Sequence, residues 1–190
     1  MFGEACYLIF NGFSIWGFTP VKDDKRQKRR KITLVHGAEI SLLGHTYQIV
    51  FEENRIKGVK QTEDHIIVSH PYNRHHLLLT MWLKQKSLHF LAEQSKIFAK
   101  QLDAKMGRIT IREVRSRWGS CSHQGNLSYS WRLIFAPEEV AKYVCAHEVS
   151  HLKHMNHSRE FWKTVESIYG DYKTQKQWLR THGRTLFLFN

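Results

Sequence analysis

The chain has 190 residues, of which 42% are hydrophobic and 13% aromatic, and its formal net charge is +12 at pH 7. This length fits one domain, and this composition excludes a disordered chain because it supplies enough apolar side chains for a core. No apolar run reaches the roughly 18 residues that a membrane span needs. The three cysteines form no CxxC pair, which argues against a disulfide framework or a thiolate metal site and predicts a cytoplasmic protein.

The first 31 residues are predicted to form an N-terminal extension that ends in a basic linker. The apolar start carries Glu4 and lacks the basic region of a signal peptide. The linker is the run KDDKRQKRRK at Lys22–Lys31. Such runs are usually solvated, and non-specific binding of nucleic acid is the functional alternative. The high net charge likewise favours an anionic partner, with simple solubility as the alternative.

Residues 32–70 are predicted to form a small antiparallel β meander. Four short β-rich runs are separated by turn residues, and Pro71 marks the end of the region. The runs are Ile40–Leu43, Tyr47–Phe51, Ile56–Val59 and Ile66–Val68. After them, residues 75–105 have the length and the broad apolar face of a long scaffold helix, which neither glycine nor proline interrupts.

A β-hairpin is predicted between this helix and the next one. Ile109–Ile111 alternates and leads into the segment Arg115–Ser122, and Gln124–Asn126 supplies a turn. Leu127–Leu133 then alternates between apolar and polar residues, as a half-buried strand does. Pro137 and two glutamates suit the start of a helix that we expect to end near His154.

That helix carries HExxH, with His147, Glu148 and His151, and His157 follows six residues later. Positions four apart lie on one helix face, so the first two histidines can bind one ion. Glu148 can reach a water in an open coordination position, as a general base must. A third neutral nitrogen from His157 leaves that fourth tetrahedral position free, which is typical of a catalytic zinc site.

Chance is a weak explanation for this pattern. Random placement yields HExxH in roughly 5% of such chains, and the third histidine at this spacing lowers that to below about 0.5%. Val140 and Val144 continue the stripe of the two helical histidines, so their imidazoles should face the interior, where they need partners. Two further helices are predicted at about Ser158–Tyr169 and Tyr172–Thr181.

Taken together, these segments resemble the YgjP-like metallopeptidase-domain family, a zincin relative of SprT-type proteases. The matching stretches are Arg115–Ser122 (RSRWGSCS), Trp131–Ile134 (WRLI) with Ala136–Pro137, His147–Leu152 (HEVSHL), Asn156–Ser158 (NHS) and Phe161–Trp162. The resemblance implies zinc as cofactor, with His147, His151 and His157 as metal ligands and Glu148 as the catalytic residue. Ser130 departs from the pattern, because relatives commonly have asparagine before the Trp-Arg pair.

The predicted fold class is therefore α+β and zincin-like. It comprises an N-terminal antiparallel β meander, a long scaffold helix, a β-hairpin, the HExxH metal helix and C-terminal helices. Residues 32–190 are predicted to be a single domain of this family, with the meander at 32–70 and the catalytic part at 75–190.

The function indicated is a zinc-dependent hydrolase, most simply a metallopeptidase. Arg115, Arg117 and Tyr129 are candidates to stabilise the developing negative charge, and a solvated strand face is the alternative for each arginine. Trp118 and Trp131 are predicted to pack in the core. An extended peptide could pair with the strand formed by the hairpin's first segment.

Two other functions stay open at this point. A metal-dependent nucleotide pyrophosphatase would suit the positive charge, although no Gly-rich phosphate loop is present. A nucleic-acid-associated protein with a structural zinc is the second alternative, although the usual DNA-reading motifs are lacking. The predicted partner is accordingly a polypeptide substrate or an anionic small molecule, with non-specific nucleic acid as a further possibility and no membrane span.

Overall fold

The computed structural model describes residues 33–113 and 116–189 together with the backbone of residues 6–9. The strands are β1 (Cys6–Ile9), β2 (Glu39–Leu42), β3 (His45–Glu52), β4 (Gly58–Gln61), β5 (His65–Ser69), β6 (Ile109–Arg112), β7 (Arg117–Cys121) and β8 (Leu127–Ser130). The α-helices are α1 (His75–Gln101), α2 (Glu138–Ser150), α3 (Arg159–Tyr169) and α4 (Lys173–His182), and short 3₁₀ helices cover Trp131–Phe135 and Gly183–Leu188. No helix within these ranges is long and apolar enough to cross a bilayer. The predicted linker Lys22–Lys31 lies outside the described residues.

The first sheet is mixed, so the prediction of an antiparallel meander is wrong. Its strand order is β2-β3-β5-β4, and β3 pairs with β5 in parallel while the other pairs are antiparallel. The physical reason lies in the apolar content of the strands. Ile66 and Val68 of β5 are fully buried, whereas β4 is partly exposed along its length. The more apolar strand therefore takes the central position, and the strand that precedes it in sequence lies at the edge.

Helix α1 confirms the predicted scaffold helix, although it ends four residues earlier. Leu79, Leu83 and Leu91 are buried along one face, which packs against α2. The helix ends at Gln101, and Asp103 then adopts a left-handed backbone conformation with φ of 45°. That conformation is typical of the residues that follow a helix C-terminus.

The second sheet has the order β1-β7-β8-β6 and contains the predicted hairpin. β7 and β8 are antiparallel neighbours, and β6 pairs with the far side of β8 in parallel. β1 pairs antiparallel with the outer edge of β7. β7, the strand predicted to pair with an extended peptide, is thus already paired along both of its edges.

The predicted strand over Leu127–Leu133 is wrong in its second half. The chain leaves β8 after Ser130 and forms the 3₁₀ helix Trp131–Phe135, whose five residues are all buried. A half-buried strand would expose alternate residues, but Arg132 is only 3% exposed and its guanidinium binds the Glu113 carboxylate. Trp131 donates from Nε1 to the same carboxylate at 2.6 Å. This shared acceptor favours the tight turn over a continued strand.

The helices after the hairpin agree with the predictions within a few residues. α2 begins directly after Pro137 but ends at Ser150, about one turn before His154. Ser158 caps α3, since its Oγ accepts a hydrogen bond from the Phe161 backbone N–H at 3.3 Å. α3 ends at Tyr169, and the Gly170 that follows has a φ of 88°, which is readily adopted only by glycine.

Candidate metal centre

The three predicted histidines meet at the C-terminal end of α2. His147 lies in the last turn of that helix, His151 caps its end, and His157 returns from the turn that precedes α3. One possible ligand atom from each lies within 4.8 Å of those of the other two. His147 and His151 are 0% and 1% exposed, whereas His157 is on the solvent side. The cluster is therefore open towards solvent on one side only.

A hydrogen bond fixes the protonated nitrogen of His151, and the Nε2 atoms of His147 and His157 face each other. The His151 Nδ1 lies 2.9 Å from the carbonyl oxygen of His154, and a carbonyl only accepts, so this nitrogen carries the proton. The Nε2 atom of His151 is then an unprotonated, buried acceptor with no hydrogen-bond partner among the described residues. The Nε2 atoms of His147 and His157 are 3.0 Å apart. Two nitrogens on one tetrahedral zinc would be separated by about 3.3 Å, so this donor set fits the ion.

The electrostatic environment keeps these imidazoles neutral. Burial lowers the pKa of His147 far below its usual value, and the charges of the other two histidines act in the same direction. Burial also lowers the pKa of His151 to about 4 and that of His157 to a lesser extent. Neutral imidazole is the form that binds a metal, so protons do not compete strongly for these nitrogens at neutral pH.

Aromatic side chains hold the histidine rings in place. Phe161 of α3 stacks on His151 with centroids 4.4 Å apart, and Trp162 stacks on His157 at 5.7 Å. The Lys176 ammonium lies 3.8 Å from the centroid of the Trp162 ring. Phe161 and Trp162 belong to the matching stretches but had no predicted role, and Lys176 was not predicted to lie near the site. Only the spacing of Phe161, four residues after His157, could have signalled a contact.

Glu148 is the fourth component of the centre. It is 0% exposed, and neither of its carboxylate oxygens has a hydrogen-bond partner among the described residues. Burial raises the pKa of Glu148 well above its usual value, and the positive charge of Arg117 opposes that rise. A buried carboxylate without a partner is unfavourable. Glu148 follows the predicted ligand His147 directly in α2, and an unpaired carboxylate at that position is what a residue working on a metal ion or a bound water requires.

β7 approaches α2 so closely that only glycine fits at the point of contact. A Cβ atom built on Gly119 would lie 2.5 Å from both Cγ and Oε1 of Glu148. The requirement is steric, because Gly119 does not need a left-handed backbone conformation. Gly119 lies in the matching stretch RSRWGSCS, but no local signal in the sequence reveals its contact with a residue 29 positions later.

Replacement of Gly119 by alanine should disturb the centre directly. We expect a destabilisation of about 1–3 kcal/mol, as is usual when an atom is forced into a packed site, together with a displaced Glu148 side chain. Thermal unfolding measures the first effect, and a crystal structure of the variant shows the second. Gly58→Ala is the matched control, because a Cβ atom there meets nothing within 4 Å. Equal unfolding temperatures for the two variants would contradict the close contact.

Of the remaining predictions, the two arginines and Tyr129 were candidates for the site, and two tryptophans were candidates for the core. Arg117 is half-buried on β7 and acts electrostatically on Glu148, whereas Arg115 lies outside the described residues. Tyr129 is 1% exposed and its hydroxyl is 2.9 Å from the Ser95 Oγ in the core, so it is poorly placed to meet a substrate. Trp118 and Trp131 are 1% and 3% exposed, which confirms that they are core residues.

Comparison with known proteins points to one family. The model of the YgjP-like, metallopeptidase domain family matches residues 21–182. The match includes the three histidines, Glu148 and Gly119, and it begins inside the segment predicted as an N-terminal extension. A search of curated proteins found no match, and neither did a search of solved structures.

Proposed function

Because the chain belongs to the YgjP-like metallopeptidase-domain family, we propose that it is a zinc-dependent peptidase. The observation that carries the proposal is the convergence of three neutral imidazoles, together with an unpaired buried carboxylate on the residue that follows His147. A merely structural metal site would use four protein ligands and would need no adjacent base. Three ligands next to Glu148 leave one coordination position for water or substrate.

The donor set favours zinc over the hard cations. Magnesium and calcium prefer cages of oxygen atoms, whereas three imidazoles suit zinc, and His147, His151 and His157 would hold it. Zinc bound there supplies Lewis acidity, which lowers the pKa of a coordinated water towards 7 and polarises a carbonyl group. The carbonyl oxygen of His154 would fix the orientation of the His151 ring, as partners of metal-bound histidines commonly do.

Glu148 would move the proton. Its carboxylate takes a proton from the attacking water, a C–O bond forms at the peptide carbon, and the same proton passes to the departing nitrogen as the C–N bond breaks. The buried position raises the pKa of Glu148, so its carboxylate is a stronger base than a solvated one. Arg117, and Arg115 beside it in sequence, are the proposed cations that stabilise the negative charge of the transition state.

The alternative substrates are distinguishable in a single comparison. The net charge of +12 and the arginine near Glu148 would also suit a nucleotide, and the basic surface could recruit the protein to nucleic acid. We propose a cytoplasmic polypeptide as substrate. Zinc-loaded protein should be given an unfolded protein, with and without DNA, and in parallel a panel of nucleoside triphosphates.

The products decide between the alternatives. The proposal predicts new amino termini in the unfolded protein and no release of phosphate or pyrophosphate. DNA that accelerates cleavage would support recruitment through the basic surface. Release of phosphate or pyrophosphate without peptide cleavage would contradict the peptidase function and favour the nucleotide hydrolase.

A further inference from the structure

The position of β7 defines where an extended substrate can lie. Gly119 of this strand is in contact with Glu148, so β7 is the strand beside the catalytic carboxylate. A peptide that pairs with a strand edge is held by main-chain hydrogen bonds and presents its carbonyl groups in a regular row. One edge of β7 belongs to the hairpin, where Gly119 pairs with Tyr129. A substrate strand can therefore use only the opposite edge.

That edge is occupied by the chain's own N-terminal strand. β1 pairs antiparallel with β7, and the register places Cys6 opposite Cys121, Tyr7 opposite Ser120 and Ile9 opposite Arg117. Leu8 thus passes the part of β7 that contains Gly119. We propose that Cys6–Ile9 occupies the substrate's place on β7, and that an extended polypeptide must displace it to be cleaved. This inference rests on the proposed peptidase function.

The pairing has the features of a strand that can be displaced. β1 is only four residues long and lies at the end of its sheet, so among the described residues it is paired on one side only. The register also shifts between Tyr7 and Ile9, which interrupts the ladder of hydrogen bonds. A short, interrupted edge strand is held by few backbone hydrogen bonds. Another extended chain can replace those bonds one for one.

The kinetic consequence follows from competition. Only molecules in which β1 has left β7 can bind substrate, so the apparent Kd is the intrinsic Kd divided by the fraction of such molecules. β1 should therefore raise KM for unfolded protein and leave kcat unchanged, because the groups that perform the chemistry are unaffected once the substrate is bound. Variants that weaken the pairing of β1 with β7 should therefore lower KM, again with kcat unchanged.

Proline substitutions in the full chain test this. Neighbouring N–H groups of a strand point to opposite sides, so the N–H of either residue 7 or residue 8 faces β7. Proline has no N–H, so one of the two proline variants loses a hydrogen bond to β7. We expect KM for an unfolded protein to fall about 5- to 30-fold in Tyr7→Pro or Leu8→Pro, with kcat within about twofold. Tyr7→Ala and Leu8→Ala keep the N–H groups and serve as matched controls with wild-type kinetics.

A second measurement follows the strand without using catalysis. Amide hydrogen exchange of β7 should be faster in the effective proline variant than in the corresponding alanine variant. Equal KM in all five proteins, with cleavage intact, would overturn the inference and leave the peptidase function standing. Absence of cleavage in all five proteins despite bound zinc would overturn the peptidase function, and the inference with it.

A disulfide between two natural cysteines, Cys6 and Cys121, would hold β1 on β7. Cα atoms of directly opposed residues in an antiparallel pair are about 4.5–5.5 Å apart, within the range that a disulfide spans. Diamide would accept the two electrons and two protons released when Cys6 and Cys121 form a disulfide. The cross-linked chain should lose cleavage of unfolded protein and regain it on reduction, and Cys6→Ser should be insensitive to the oxidant. Full activity of the cross-linked chain would overturn the inference.

Discussion

Replacement of Glu148 by glutamine is expected to lower kcat for peptide cleavage by about 10²- to 10⁴-fold, the usual contribution of a general base. Glutamine has nearly the same size and fits beside Gly119, but its amide cannot take a proton from water. None of the three histidines proposed to bind zinc is altered, so zinc affinity should stay the same. The rate of appearance of new amino termini, measured with the zinc content of each sample, tests both statements.

The same variant also has a predictable effect on stability. The Glu148 carboxylate is fully buried without a hydrogen-bond partner among the described residues, so a neutral amide should be at least as well tolerated. The zinc-free variant should unfold at a temperature no lower than the wild type. Glu138→Gln is the control for catalysis: Glu138 lies on the same helix but is 41% exposed and pairs with Lys142, so the rate of cleavage should stay that of the wild type. Full activity of the Glu148 variant would show that another group is the base.

Replacement of His147 by alanine is expected to weaken zinc binding by more than about 100-fold, since loss of even an outer-shell partner costs 10- to 100-fold. The ring is buried and its Nε2 lies 3.0 Å from that of His157, so alanine removes one of the three clustered nitrogens. Peptide cleavage should disappear with the metal. Competition with a chromophoric chelator measures the affinity.

His154→Ala is the control for this prediction. The side chain of His154 is not one of the three clustered ligands, and its backbone carbonyl, which accepts from His151, survives the substitution. Zinc affinity should therefore stay within a few-fold of the wild type. Loss of zinc in the His154 variant together with retention in the His147 variant would mean that the ligand set is wrong.

The site could be predicted from sequence where its geometry is local. His147, Glu148 and His151 are related by the period of one helix, so their spacing alone brings the two histidines together. His157 required only a turn after the helix, and the structure places that turn directly after His151. The contact between Gly119 and Glu148 depends on how a strand packs against a helix, and no periodicity reports such long-range packing.

The fold, like the site, could be predicted where the signal is local and not where it depends on long-range packing. Helix α1 follows from an uninterrupted apolar stripe, which is a local signal. The order of the first sheet is not local, because alternation identifies β4 and β5 as strands without revealing that β5 lies between β3 and β4. Likewise, the alternation of Leu127–Leu133 could not show that Glu113 would bind Trp131 and Arg132 and turn the chain into a 3₁₀ helix.

Stepwise addition of zinc to metal-free protein tests directly whether the three histidines and Glu148 form a zinc peptidase centre. We expect the rate of peptide cleavage to start near zero, to rise in proportion to added zinc and to stop rising at one ion per chain. The Glu148→Gln variant should bind the same single ion and remain inactive. Cleavage at the full rate by the metal-free chain, or one bound ion with no cleavage of any unfolded protein, would show that this centre is not a zinc peptidase site.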